Sequence, residues 1–297
     1  MAIQTEVIGL PPRAPSRFAS LRLGDFPLIP VLILSTIALV AIFANVLAPH
    51  NPEIGSLTAR FKPPFWQTGG STKYLLGTDQ LGRDVLSRLI FGARVSMVVG
   101  LTAVIFAGAV GTTLGIISGY LGGWVDQVIM RLTDTWLAVP ALTFAIFLAA
   151  IVGPSMWNIV LIFGITYWTR YARVTRGEVL SLKEREFVRL AIVAGCSKFT
   201  IMLRHILPNI INTAIVLGSL ELGVVIIAEA TLSFLGVGVP PPEAAWGLML
   251  ADGKQSLMVG RWWLTLFPGL CIMLMVLSAN LFGDWLRVKL DPQLRQL

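Results

Sequence analysis

The sequence predicts an all-α polytopic membrane protein with six transmembrane helices. Only 13% of the 297 residues are charged, whereas soluble proteins carry about 25%. The mean hydropathy is +0.77, and several apolar runs reach about 20 residues, enough to cross the hydrocarbon core of a bilayer. A soluble protein with a large buried core is the alternative, but it would need far more charge to cover its surface.

The net charge of +7 lies in the segments between apolar runs. This distribution is typical of loops that are retained on the cytoplasmic side of a membrane. A nucleic-acid partner would require basic residues clustered on a soluble face, so we expect none. The two cysteines and two histidines follow no metal-binding spacing, and we expect neither a metal site nor a disulfide.

The chain begins with a basic segment, residues 1–27, which we assign to the cytoplasm. Residues 28–48 form the first predicted transmembrane helix. A secretory signal peptide is the rival interpretation, but the apolar run is too long and lacks a small-x-small cleavage site. Residues 49–92 are polar and rich in turn-forming residues, and we predict an external segment despite their excess of basic residues.

A membrane-embedded core with five further transmembrane helices is predicted at residues 93–286. Gly111, Gly115 and Gly119 recur every four residues in the second helix, which favours close approach of another helix. A strongly basic loop at 173–207 separates the fourth and fifth helices and is predicted to be cytoplasmic. Residues 287–297 form a cytoplasmic tail, so both termini lie inside. The predicted second to sixth spans are 93–118, 125–152, a span starting with 157–168, 210–232 and 264–281.

The most ordered pattern in the basic loop lies at 186–207. Phe187, Leu190, Ala191 and Ala194 are spaced to share one face of a helix, and Gly195 permits a turn after them. Pro208 is expected to stop the second short helix of this segment. An apolar stripe on such a helix can pack against the protein's own spans or bind a partner, and the residues alone leave both possibilities open.

This stretch resembles the loop shared by membrane subunits of ABC-type importers: Glu-Ala-Ala, three residues, Gly, and nine residues before Ile-x-Leu-Pro. Ala191, Gly195 and Pro208 match that pattern. Arg189 and Leu190 replace its acidic residue and first alanine, and His205 replaces its isoleucine. The resemblance implies an ATPase-coupling role for a set of residues here: Glu186, Phe187, Arg189, Leu190, Ala191, Gly195 and Pro208.

Three further stretches resemble the second, or C-type, permease of the dipeptide, oligopeptide and nickel importer group. They are Leu-Gly-Thr-Asp-Gln-Leu-Gly-Arg-Asp at 76–84, Ala-Glu-Ala-Thr-Leu-Ser-Phe-Leu-Gly at 228–236, and Asn-Leu-Phe-Gly-Asp at 280–284. Val288 departs from the acidic residue that the group usually has near its carboxyl terminus. The matches extend from about residue 73 to the end of the chain.

The resemblance implies the transmembrane domain of a type I ABC importer in a bacterial cytoplasmic (inner) membrane. Its expected partners are a second homologous permease, two ATPase subunits, an extracytoplasmic substrate-binding protein and a peptide substrate. The chain lacks a Gly-x-x-x-x-Gly-Lys-Ser/Thr phosphate loop. We therefore expect no enzyme activity and no cofactor in this chain, with ATP and Mg²⁺ bound by the ATPases. Import of nickel or another small solute, or ion-coupled secondary transport, are the alternatives.

Charged residues near or within the spans are candidates for a pathway or gate. Glu221 is expected either to meet a peptide's ammonium group or to pair with another helix. Glu229 is expected to act in gating or helix pairing. Asp79, Arg83 and Asp84 precede the second span, where they are expected to form either a helix cap and surface latch, or an outer gate or receptor contact.

Overall fold

A computed structural model describes residues 26–290 of the protein. Within this range the chain is helical, and β-structure is confined to two isolated bridges in the segment before the longest helix. A 3₁₀ turn at Leu57–Ala59 and a π-helical turn at Ile201–Ile206 supplement the α-helices. These are α1 (Leu28–Ile42), α2 (Ala44–Leu47), α3 (Val85–Leu121), α4 (Gly123–Leu137), α5 (Ala141–Val152), α6 (Met156–Leu182), α7 (Glu186–Val193), α8 (Lys198–Thr200), α9 (Leu207–Phe234), α10 (Trp246–Leu257) and α11 (Trp263–Leu290).

Within residues 26–290, three helices are long and apolar enough to cross a membrane: α3, α11 and the continuous helix Lys198–Phe234. The pair α4 and α5 passes the same criterion jointly but bends by 87° between the two helices. Helix α1 is apolar with 15 residues, and α6 is long but carries several charges in its second half. The all-α membrane fold is therefore confirmed, while the count of six spans stays a prediction.

The helix boundaries differ from the predicted ones at several places. The predicted first span 28–48 is interrupted at Phe43, because α1 ends at Ile42, and the last helix continues past residue 281 to Leu290. Helix α3 begins at Val85, inside the predicted external segment 49–92, because Asp84 caps its first turn. Helix α6 continues to Leu182, so residues 173–182 of the predicted loop 173–207 are helical. The predicted span 125–152 is broken at Pro140, which precedes α5 and disfavours helical geometry in the residue before it. Residues 1–25 and 291–297 lie outside the described residues, so the predicted terminal tails are largely untested.

The glycine stripe of α3 packs directly against α6, as its spacing predicts. A Cβ atom on Gly115 would lie 2.7 Å from the carbonyl oxygen of Ala172, and one on Gly119 would lie 2.8 Å from the Cβ of Val179. These two helices share the most extensive contact of any helix pair in the described part of the chain. Glycine is required here because any side chain would force α3 and α6 apart.

Three apolar clusters hold the bundle together. The first joins α3, α5, α6 and α9, and the second joins α3, α10 and α11. The third joins α7 and the π-helical turn to α3, α6 and α9. The end of the bundle where α7 packs is named the α7 end. The opposite end, which carries α10 and the segment before α3, is named the α10 end.

Candidate functional site

Helix α7 is amphipathic and buries one side against the bundle. Val188 is fully buried and Ala191 nearly so, and both pack against Val179, Ile201 and Ile206. The predicted stripe differs from this face, because only Ala191 of its four members is buried. Val188 and Ala191 are three residues apart, the spacing that places two side chains on the same side of a short helix.

The opposite side of α7 exposes large apolar side chains. Leu190 is 67% exposed and Val193 is 85% exposed, with Phe187 and Ile192 also open. Phe199, beyond the turn that follows α7, adds a fifth exposed apolar side chain. A cluster of this kind at one end of a protein marks an interaction surface. One of the two alternatives left open by the sequence is thus observed, since one side of α7 packs internally, while the other side is exposed in this chain.

Gly195 ends α7 in a Schellman motif. Its φ is +78°, a conformation in which a non-glycine residue is strained. The amide of Cys196 donates to the carbonyl of Ala191 over 3.0 Å, and the amide of Gly195 donates to that of Ile192 over 3.0 Å. These are the two bonds that define the motif. They reverse the chain sharply and fix the angle between α7 and the helix that follows.

Pro208 does not stop the helix, contrary to the prediction. It occupies the first turn of α9, and the helix runs continuously from Lys198 to Phe234. Proline lacks an amide hydrogen and crowds the preceding turn. The chain accommodates it with a π-helical turn, in which the amide of Leu207 donates to the carbonyl of Met202. The side chain of Asn209 donates to the carbonyl of His205 over 2.6 Å.

Arg189 is paired within its own chain. Its guanidinium donates to Glu184 over 2.7 Å, and both side chains are exposed. The hydrogen bond and the charge of Arg189 hold the pKa of the Glu184 carboxyl below its usual range. Glu186 lies in the first turn of α7, where a negative charge is favourable next to the helix dipole. The missing acidic residue of the loop pattern is thus replaced by a local ion pair.

A cleft of about 1130 Å³ opens beside α7. It lies between the ends of α6, α9 and α11. Thr213 donates to Glu178 over 3.0 Å across its wall. Its polar and charged lining consists of Glu178, Ser181, Glu184, Arg185, Glu186, Asn209, Asn212, Thr213 and Arg287.

A buried charge cluster lies at the α10 end. Arg83 donates to Asp79 over 2.7 Å, and Arg88 is paired with the same carboxylate. Asp252 of α10 lies 3.4 Å from Arg83 and 3.5 Å from Arg88. Burial raises the pKa of Asp79, but the charges of Arg88 and Arg83 and backbone hydrogen bonds outweigh it, so the pKa lies below its usual range. The predicted charge cluster is therefore buried and does not lie on the surface. The carboxylates of Asp79 and Asp252 balance the two guanidinium groups.

Asp84 has a different role from its neighbours, since it caps α3. Its carboxylate accepts hydrogen bonds from the backbone amide of Ser87 over 2.9 Å and from the Ser87 hydroxyl over 2.6 Å. His50 lies 3.5 Å from the same carboxylate. The structure thus places Asp84 in the helix-cap role that the sequence suggested.

Two carboxylates of α9 make contacts with different helices. Glu221 is buried and accepts a hydrogen bond from Arg170 of α6 over 2.7 Å. Glu229 is buried near the α10 end, where Ser233 donates to it over 2.7 Å and Ser96 of α3 over 3.4 Å. Both residues join α9 to a neighbouring helix. The sequence named neither Arg170 nor Asp252 as a site residue, because each meets its partner across more than 50 residues of chain.

The described residues contain no group of three or more His, Cys, Asp or Glu side chains that could hold a metal ion. The two cysteines are free thiols. The described arrangement is a helical scaffold with an exposed apolar surface on α7 and buried, paired charges.

Comparison with known proteins identifies the family. The sequence profile described as "Binding-protein-dependent transport system inner membrane component" matches residues 111–296. The chain belongs to this family. The matched region contains α7, Gly195, the cleft and the Arg170–Glu221 pair, whereas the Asp79 cluster precedes it apart from Asp252.

Individual relatives extend the similarity toward the amino terminus. The chain is 40% identical over 269 residues, 91% of each chain, to a dipeptide transport system permease protein of Haemophilus influenzae. It is 44% identical to the dipeptide transport system permease protein of Escherichia coli K12 over 86% of this chain and 85% of the relative. A probable D,D-dipeptide transport system permease protein of E. coli K12 is 36% identical over 99% of this chain and 98% of the relative.

Proposed function

We propose that this family member is one of two permease subunits of an ATP-driven importer for di- and oligopeptides in a bacterial inner membrane. The observation that carries the proposal is the exposed apolar surface of α7, on a helix that is itself fixed to the bundle. The substrate class is supported by the names of the relatives, which are dipeptide permeases. A second permease would complete the pathway, and a binding protein outside would deliver the peptide.

In this proposal the α7 end is cytoplasmic, and two ATPase subunits dock there. Basic residues concentrate around α7, which favours the cytoplasmic side. The exposed side of α7 would enter a groove on an ATPase, while Val188 and Ala191 transmit movement to the bundle. Such a helix has to be stiff, since a mobile connection would absorb the displacement. ATP and Mg²⁺ would be bound by the ATPases, and this chain would remain non-catalytic.

Gly195 provides the test of this mechanism. Gly195→Val places a β-branched residue at φ +78°, at a cost of about 1–3 kcal/mol, so the turn after α7 should open. Gly195→Asn is the matched control, because asparagine tolerates this conformation. A Cβ at this position meets no other atom within 4 Å, so the two variants differ in backbone strain and not in a steric clash.

The assay is peptide uptake and ATP hydrolysis by the complete complex in proteoliposomes. We expect Gly195→Val to assemble and hydrolyse ATP while uptake per ATP falls severalfold, and Gly195→Asn to retain most of its coupling. Equal uptake per ATP in the valine variant and the wild type would refute the coupling role of α7.

A further inference from the structure

Arg170 places a charged group deep within the membrane-spanning part of the bundle. Its partner Glu221 lies 11 residues from either end of the apolar run 210–232, or about 16 Å from each end at 1.5 Å per residue. Since the guanidinium of Arg170 contacts Glu221 at 2.7 Å, it lies at the same depth. Glu221 is 2% exposed, but the side chain of Arg170 is 55% exposed in this chain.

Exposure at this depth excludes lipid as the neighbour of Arg170. A charged side chain in contact with hydrocarbon is costly, and such residues face a protein interior or a water-filled cavity. The exposed side chains of α6 change in character along the helix. Its first half exposes Trp157, Leu161 and Ile165, all large and suited to lipid. Leu161 precedes Arg170 by nine residues, which places the two about 180° apart around the helix.

The second half of α6 exposes a different set on the side of Arg170. These residues follow the spacing i, i+4, i+7 and i+11 from the middle of the bundle to the α7 end: Arg170, Val174, Gly177 and Ser181. Ser181 lines the large polar cleft beside α7, and a Cβ on Gly177 would meet nothing within 4 Å. The stripe is mostly small or polar, and it connects the cleft to Arg170.

The guanidinium of Arg170 has unused hydrogen-bonding capacity. It carries five N–H donors in a planar fork that matches a carboxylate. Among the described residues, Glu221 is the partner to which it donates. Glu221 holds the group from its buried side, which leaves the remaining donors on the exposed side. The pair is neutral as a unit, so an added carboxylate would meet a directed fork of donors but would bring one uncompensated negative charge.

We propose that Arg170 binds the carboxylate of the transported peptide on its way through the bundle, with Glu221 as the positioning residue. This inference rests on the proposed function and adds a specificity-determining contact to it. The chemical class recognised is a solute with a free carboxylate, such as an unmodified peptide terminus. Weak binding suits transport, because a solute has to leave each site that it enters, and the charge of Glu221 limits the affinity of Arg170 for an anion.

The test uses uptake of dialanine by the complete complex with its binding protein in proteoliposomes. Arg170→Gln should lower uptake about tenfold, the loss expected for a charge-assisted hydrogen bond. Arg173→Gln is the matched control on the next turn of the same helix, where the ion pair with Asp134 is exposed on both sides. We expect this control to stay within about twofold of the wild type.

Two further measurements separate carboxylate binding from a structural ion pair. The double variant Arg170→Glu with Glu221→Arg exchanges the two charges. It restores an ion pair between α6 and α9 but moves the guanidinium to α9. We expect uptake by this variant to remain low. Dialanine amide lacks the carboxylate. The ratio of dialanine uptake to amide uptake should fall in Arg170→Gln relative to the wild type. The binding protein contributes the same selectivity in the variant and in the wild type, so a change in this ratio reports on the permease.

Recovery of uptake in the charge-exchange variant would overturn the proposal and assign the pair to helix packing. An unchanged ratio of dialanine to amide uptake in Arg170→Gln would overturn it as well, since Arg170 would then not distinguish a carboxylate from an amide. If the wild type does not take up the amide, the charge-exchange variant decides alone. Failure of the wild-type complex to transport any peptide would instead refute the proposed function itself.

Discussion

Gly115 offers the sharpest test of the packing that holds α3 to α6. In Gly115→Ala the new Cβ would lie 2.7 Å from the carbonyl oxygen of Ala172 and 2.7 Å from the Cβ of Thr175. One of these atoms belongs to the backbone, so a rotamer change does not relieve the contact. The helices would have to separate by about 0.7 Å to reach an ordinary distance, and overpacking of this kind costs about 1–3 kcal/mol.

Gly177→Ala is the matched control for this substitution. It lies in the middle of a long helix like Gly115, but a Cβ there meets nothing within 4 Å. Both variants gain the helix propensity of alanine, worth about 1 kcal/mol. The difference between their free energies of unfolding therefore isolates the cost of the α3–α6 contact.

Thermal unfolding of the purified permease pair in detergent measures that difference. We expect Gly115→Ala to melt below Gly177→Ala by on the order of 5 °C. If Gly115→Ala melted at or above the control, α3 and α6 would not depend on the glycine stripe for their approach. The close packing described for these two helices would then be wrong.

Substitutions at three other residues test the α10 end. Asp79→Asn leaves Arg83 and Arg88 with one carboxylate fewer and should destabilise the protein by about 3–5 kcal/mol. The pKa of Asp79 is lowered from its usual value of 3.8 in the folded protein, so its stabilising effect should be lost only at acidic pH. The difference in melting temperature from the wild type should therefore be constant from about pH 8 to about pH 5 and shrink below about pH 4. Asp84→Ala should lose about 0.5–2 kcal/mol by removing the cap of α3, whereas Asp84→Asn should lose less, and equal melting of the two variants would contradict the capping role. Trp246→Phe should cost about 1–3 kcal/mol because it leaves the carbonyl of Leu89 without its 2.9 Å hydrogen bond, and an unchanged melting temperature would refute that contribution.

Local patterns in the sequence predicted the local features of the structure. The four-residue spacing of Gly111, Gly115 and Gly119 was sufficient to predict close helix packing, because spacing alone defines a helix face. Gly195 was recognisable as a turn, since glycine is favoured where φ is positive. The bend between α4 and α5 was also visible in principle, because Pro140 interrupts an apolar run that otherwise suggests one span.

Contacts between distant parts of the chain could not be predicted in the same way. The pairs Arg170–Glu221 and Arg88–Asp252 join residues that are 51 and 164 positions apart, and a single sequence carries no spacing that connects them. The buried side of α7 was mispredicted for a related reason. Periodicity indicates that a helix has an apolar side, but Val188 faces the bundle and Leu190 faces outward because of how α7 meets the π-helical turn.

The continuous helix Lys198–Phe234 has a mechanical consequence. Its 37 residues make a rod about 55 Å long at 1.5 Å per residue. One end adjoins the exposed surface of α7, and Glu229 near the other end is bonded to α3. A rotation of about 5° around the α7 end would displace the far end by about 5 Å, roughly one helical turn. Under the proposed coupling mechanism, a small tilt at the α7 end would therefore reach the α10 end as a displacement of about one helical turn.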